Sequence, residues 1–136
     1  MRLRRRLPGE LQPAFEAFTS VVDHVERAKR SLTAAVPSTR FAGRPLAECL
    51  AEYEEELTAA ASLMPSWRRR EVEVAWAAAD AAIATSLALA ERLRTEAPEP
   101  GGFEGLIGLI GQLLSPLERF EDARDAFGRL RHGPSA

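Results

Sequence analysis

Every long apolar periodicity in this 136-residue chain is bounded by proline, which admits little besides a set of separate helices. Between residues 11 and 36 apolar side chains recur at Leu11, Phe15, Phe18, Val22, Val25, Leu32 and Val36, with Lys29 in the one polar seam position. The steps alternate between four and three residues, the spacing of one helix face turned to a core. Pro8 or Pro13 fits the first turn, where no backbone N–H is needed, and Pro37 stops the helix. Pro45 opens a second helix carrying Leu46, Leu50, Tyr53, Leu57, Ala60 and Met64, and Pro65 closes it. Ser66 is the expected N-cap of a third helix whose seam reads Val72, Trp76, Ala79, Ile83, Leu87 and Ala90.

The pattern breaks at Pro98, Pro100, Gly101 and Gly102. A last apolar segment follows, with Gly102, Gly105, Gly108 and Gly111 every third residue. Ser115, Pro116 and Glu118 then combine an N-cap, a first-turn proline and a capping-box acid, so the helix restarts or kinks there. It carries Leu117, Phe120, Phe127 and Leu130. No strand pattern competes with these segments. Short connections between long helices predict an all-α, up-down four-helix bundle, with helices near 8–36, 45–64, 67–97 and 103–131. Residues 1–136 read as one domain, with a basic arm over 1–7 and a tail over 132–136 expected to be flexible.

Composition excludes much chemistry. A chain that is 46% hydrophobic and 28% charged is globular. Its single cysteine, Cys49, gives no disulfide framework and reads as a small buried apolar residue. A net charge of −2 argues against a general nucleic-acid binder, and no run of about 18 apolar residues predicts a membrane span. The arginine-rich start lacks the apolar stretch of a signal peptide, so a cytoplasmic protein is expected. Seventeen Arg against one Lys, 24 Ala and no Asn suggest a GC-rich bacterial genome.

Charge is segregated along the chain. Residues 1–44 hold nine bases and four acids, whereas residues 45–67 hold five Glu and no base. Opposite charge favours pairing of the first two helices, although each exposed pair contributes only about 0–1 kcal/mol. Glu48, Glu52, Glu55 and Glu56 share one face of the second helix. A bundle di-iron site needs Glu-x-x-His, and neither His24 nor His132 has Glu three residues before it. The acidic run reads as a solvated face, and no metal or cofactor is expected.

Isolated polar residues within apolar surroundings are the candidate ligand-binding set. Asp80 is the only charge between residues 74 and 90, Lys29 occupies a seam, and His24 lies on the same predicted helix. A buried carboxylate needs a partner or an altered pKa, and Lys29, His24 or Arg119 are candidate partners. Arg68, Arg69 and Arg70 beside Trp67 form a second candidate, for contact with phosphate and a stacked base, against the commoner fate of a solvated cluster.

The third helix is apolar on more sides than one seam needs, and the glycine-spaced segment offers a smooth face beside it. These features point to a non-enzymatic interaction module that binds a protein partner or itself. The expected contact surface is Ala78, Ala82, Leu89, Leu106 and Leu109. The alternative is a ligand-binding or catalytic bundle using Asp80, Lys29 and His24 in its core.

Overall fold

A computed structural model describes residues 7–96, 99 and 101–132. It is an all-α bundle, with no strand among the described residues. Helix α1 (Gln12–Thr33) follows a 3-10 turn at Gly9–Leu11, and Pro13 lies in its first turn as its missing N–H requires. Helix α2 (Leu46–Leu63) starts after Pro45 and runs on into a 3-10 turn, Met64–Trp67. A second 3-10 turn, Arg70–Val72, leads into α3 (Glu73–Glu96). The fourth arm has two halves, α4 (Gly102–Leu114) and α5 (Arg119–His132), joined by a 3-10 turn at Ser115–Glu118. The expected break at Ser115 and Pro116 is therefore present. Gly101 and Gly102 both have positive φ, 70° and 85°, which lets the chain turn into α4 at a conformation costly for other residues.

The third helix begins later than its expected start near residue 67. Ser66 makes no cap; it belongs to the 3-10 turn that prolongs α2. Arg68 and Arg69 are extended, and the helical path resumes at Arg70. The cause is Trp67. Its ring is fully buried, and its indole N–H donates to Met64 Sδ at 3.1 Å. Driving that ring into the core bends the chain before α3 can start.

Long-range contacts set the order of the helices. α1 packs most extensively on α2, and α3 packs on α2 and on the α4–α5 arm. α2 and α3 run antiparallel. Trp76, near the start of α3, donates to the Met64 carbonyl at 2.8 Å, while Arg94 near its end reaches Glu54 in the first half of α2 at 2.8 Å. Aromatic rings close the circuit between α1 and α5. Phe15 meets Phe127 edge-on at 5.4 Å, and Phe18 lies 5.1 Å from Phe127 and 4.9 Å from Trp67. Such pairs contribute about 0.5–1.5 kcal/mol each beyond the burial of their surface.

Leu11, Phe18, Val25 and Leu32 of the expected α1 seam are buried, but at the alternate positions the burial moves by one residue, from Phe15, Val22 and Lys29 to Ala14, Val21 and Ala28. Ala14, Phe18, Val21, Val25, Ala28 and Leu32 are buried, whereas Phe15, Val22, Lys29 and Val36 lie on the flanks. Alanine at Ala14 and Ala28 lets neighbouring helices approach closely, and the bulkier residues flank the crossing. Leu7, placed in the basic arm by the sequence, is 6% exposed and packs on the core. Residues 1–6 and 133–136 lie outside the described residues.

Candidate functional site

The polar residues singled out from sequence are not brought together. His24 on α1 is half-buried and its Nδ1 lies 2.7 Å from Glu56 Oε2 on α2, a bond between helices. Lys29 is half-buried at the seam edge and reaches Glu26 on its own helix at 3.4 Å. Asp80 is exposed on α3, with no ion pair among the described residues. Arg119, one of its candidate partners, pairs with Asp122 instead at 3.6 Å. Neither of two surface grooves, one between α3 and α5 and one between α1 and α5, is lined by His24, Lys29 or Asp80.

The acidic face of α2 is divided: Glu52 and Glu56 have separate partners and Glu55 is exposed without an ion pair among the described residues, while Glu54 on the neighbouring flank is also paired. Arg44 grips Glu52 through two hydrogen bonds of 2.9 and 2.8 Å, Arg94 holds Glu54, and His24 holds Glu56. The bond from Arg44, followed by its charge, holds the Glu52 carboxyl below its ordinary range. Among the described residues no group of three His, Cys, Asp or Glu is arranged to hold a metal ion.

The Arg68–Arg70 cluster offers no stacking platform on Trp67, because that ring is inside the core. Arg68 lies over the Trp76 ring at 4.2 Å and bonds Glu73, with its shortest contact 2.7 Å. That pairing and its charge raise the Arg68 pKa and lower that of Glu73. Cys49 is buried, and desolvation pushes its thiol upward, away from the reactive range.

The apolar surface is more informative. Of the expected contact residues, Ala82 is buried, and Leu89, Leu106 and Leu109 are half-buried against the chain's own core. Ala78 is half-buried in a groove between α3 and α5. The stripe that faces solvent lies one residue away: Val74, Ala77, Ala81, Ala84 and Ala88 are all exposed. Their steps of three and four residues keep them on one face of α3. Val74 is 88% exposed at one end of the stripe. On α4, Phe103 and Ile107 are 57% and 43% exposed, beside Gly108 and Gly111.

A Cβ added at Gly108 or Gly111 would meet nothing within 4 Å, so neither glycine serves a close approach inside this chain. By length and composition the continuous stretch Arg70–Glu96 is apolar enough to cross a membrane, yet only 33% of its most apolar window is buried here.

Two features escaped the sequence. One is a buried polar junction: Tyr53 and Ser86 both donate to the carbonyl of Leu113. The other is a groove of about 390 Å³ between α1 and α5, lined by Phe15, Val22 and Asp23 on one side and Arg124, Gly128 and Arg131 on the other. The steps from Arg124 to Gly128 to Arg131, four and three residues, were the available signal for a shared face. No known protein family, no curated protein and no solved structure matches this chain.

Proposed function

We propose that this protein is a non-enzymatic helical interaction module, and that the exposed apolar face of α3, continued by α4, receives a helix of another protein chain. In its simplest form that helix is α3 of a second copy, related by a two-fold axis. The observation that carries the reading is the stripe from Val74 to Ala88. It contains five apolar residues, all facing solvent, and the one charge bordering it within this span is the exposed Asp80. A helix burying this face can approach closely, because the methyl side chain of alanine is the smallest after glycine. Phe103 and Ile107 on α4 add the larger apolar area that alanines lack.

The test is light scattering over a concentration series with the wild type and Ala81→Glu. Ala81 is exposed, so the substitution leaves the fold intact and places a charge in the middle of the stripe. The expected result is a mass that rises toward twice the monomer in the wild type and stays monomeric in the variant. A wild type that remains monomeric throughout removes the two-fold form. A photo-crosslinker at position 81 then reads a partner of different sequence in cells. Failure to crosslink any protein there removes the interaction reading itself.

A further inference from the structure

We propose that the α1–α5 groove is a binding site for a small aromatic carboxylate, with Arg124 and Arg131 holding the anion and Phe15 and Gly128 accommodating the ring. The groove and the α3 stripe are different surfaces, so this site stands or falls apart from the interaction face. Its volume, about 390 Å³, lies within the range that small-molecule sites occupy.

The first argument is charge. Arg44, Arg68, Arg94 and Arg119 each lie within 4 Å of a carboxylate. Arg124 and Arg131 are exposed and, like seven other arginines, have no such ion pair among the described residues; what sets them apart is a shared groove with a single acid on its lining, whereas Arg70 and Arg129 share one lined by four acids. Arg131 is also held in place. Its guanidinium lies 4.5 Å from the centre of the Phe15 ring. Stacked in that way, a guanidinium keeps its edge N–H groups free for a carboxylate, which it matches in a two-bond fork.

The second argument is shape. Gly128 lies between the two arginines on α5, and a Cβ placed there would meet nothing within 4 Å. The glycine therefore leaves a notch and relieves no clash. Phe15 and Val22 are half-buried and give that notch an apolar wall. Thr19 also lines the groove, but its hydroxyl is committed to the Phe15 carbonyl at 3.0 Å. Asp23 is the one acid on the lining and opposes an anion, so the site carries one net positive charge.

Calorimetric titration of the full chain with naphthalene acetate tests the site. Naphthalene methanol supplies the ring without the charge, and circular dichroism checks the fold of each variant. The expected result is saturable one-to-one binding of the carboxylate, weakened at least about tenfold for the alcohol and in the Arg124→Gln/Arg131→Gln double variant. Gly128→Leu fills the notch and abolishes binding while keeping a helical spectrum. Asp23→Asn tightens binding by removing the opposing charge. Absence of saturable binding overturns the site, as does equal affinity for the alcohol or unchanged affinity in the double variant.

Discussion

Tyr53 and Ser86, on different helices, donate to the same acceptor: their hydroxyls lie 2.8 and 3.0 Å from the Leu113 carbonyl oxygen. That carbonyl is free because of Pro116. The Ser115 N–H still bonds the Gly111 carbonyl, four residues back, Pro116 has no N–H to donate, and the 3-10 turn at Ser115–Glu118 draws the N–H groups that follow toward acceptors three residues back, away from Leu113. A buried carbonyl without a donor is costly, and two side chains from α2 and α3 replace the lost bond. The kink in the fourth arm and the docking of three helices are thus one arrangement.

The two hydroxyls should compensate for each other. Tyr53→Phe or Ser86→Ala alone leaves the Leu113 carbonyl one donor and costs about 0.5–1.5 kcal/mol. The double variant leaves a buried acceptor with none, and it should cost more than the sum of the singles by at least about 0.5 kcal/mol. Urea unfolding of the four proteins measures the cycle. Strict additivity would show that the carbonyl finds water when either hydroxyl is lost.

Alkaline pH probes the same junction. Burial pushes the Tyr53 hydroxyl up to about 12, with the Ser86 hydroxyl opposing the shift. The folded state therefore holds the phenolic proton at pH values where the unfolded chain releases it. Its contribution to stability is complete below about pH 10 and is lost as pH rises toward 12, by roughly 2–3 kcal/mol in all. Tyr53→Phe should flatten that part of the unfolding profile against the wild type. Cys49 titrates in the same direction and remains in both proteins, so the difference between them isolates the phenol.

The acid limb has the opposite sign. The Glu52 carboxyl is held low by Arg44, and that of Glu73 by Arg68. Their contributions are present above the ordinary carboxylate range and are lost as pH falls through the lowered values. Arg44→Ala should therefore move the acid unfolding midpoint toward higher pH. A midpoint unchanged in Arg44→Ala would mean that solvent screens the pair completely.

How much of this could be read from the sequence follows from what each signal depends on. Proline and the 3.6-residue period are local, so the helix set, the Pro45 start and the Pro116 kink were all legible. The rotation of a helix about its axis is not local. Bulk favours Phe15 and Val22 as core residues, but the structure turns Ala14 and Val21 inward instead, and a similar displacement moves the exposed stripe of α3 from Ala78 and Ala82 to Ala77 and Ala81. Burial of Trp67 delayed α3, and nothing in its immediate neighbours announces that. Isolation among apolar neighbours is the only signal a sequence offers for a buried polar group, and it favours Asp80. The structure leaves Asp80 exposed and buries Ser86, which looks unremarkable in sequence because its partner, a backbone carbonyl, has no side-chain signature.

The glycines give the sharpest contrast for a last test. Gly43 sits where the loop after α1 folds back, and the Arg44 N–H donates to the Ala34 carbonyl at 2.9 Å. A Cβ at Gly43 would collide with the Ala35 carbonyl, a backbone group with no rotamer to change. Gly43→Ala must open that loop, at a cost of about 1–3 kcal/mol. Gly108 and Gly111 are exposed within α4, and added methyl groups would meet nothing within 4 Å. There the usual helix preference governs, and Gly108→Ala or Gly111→Ala should stabilise by up to about 1 kcal/mol each. Thermal unfolding of the three variants at low concentration separates the two cases. If the face of α4 also receives a partner helix, the α4 variants should combine a higher melting temperature with weaker association, because each methyl group holds the two backbones apart. Stabilised variants that associate as tightly as the wild type would confine the contact to α3.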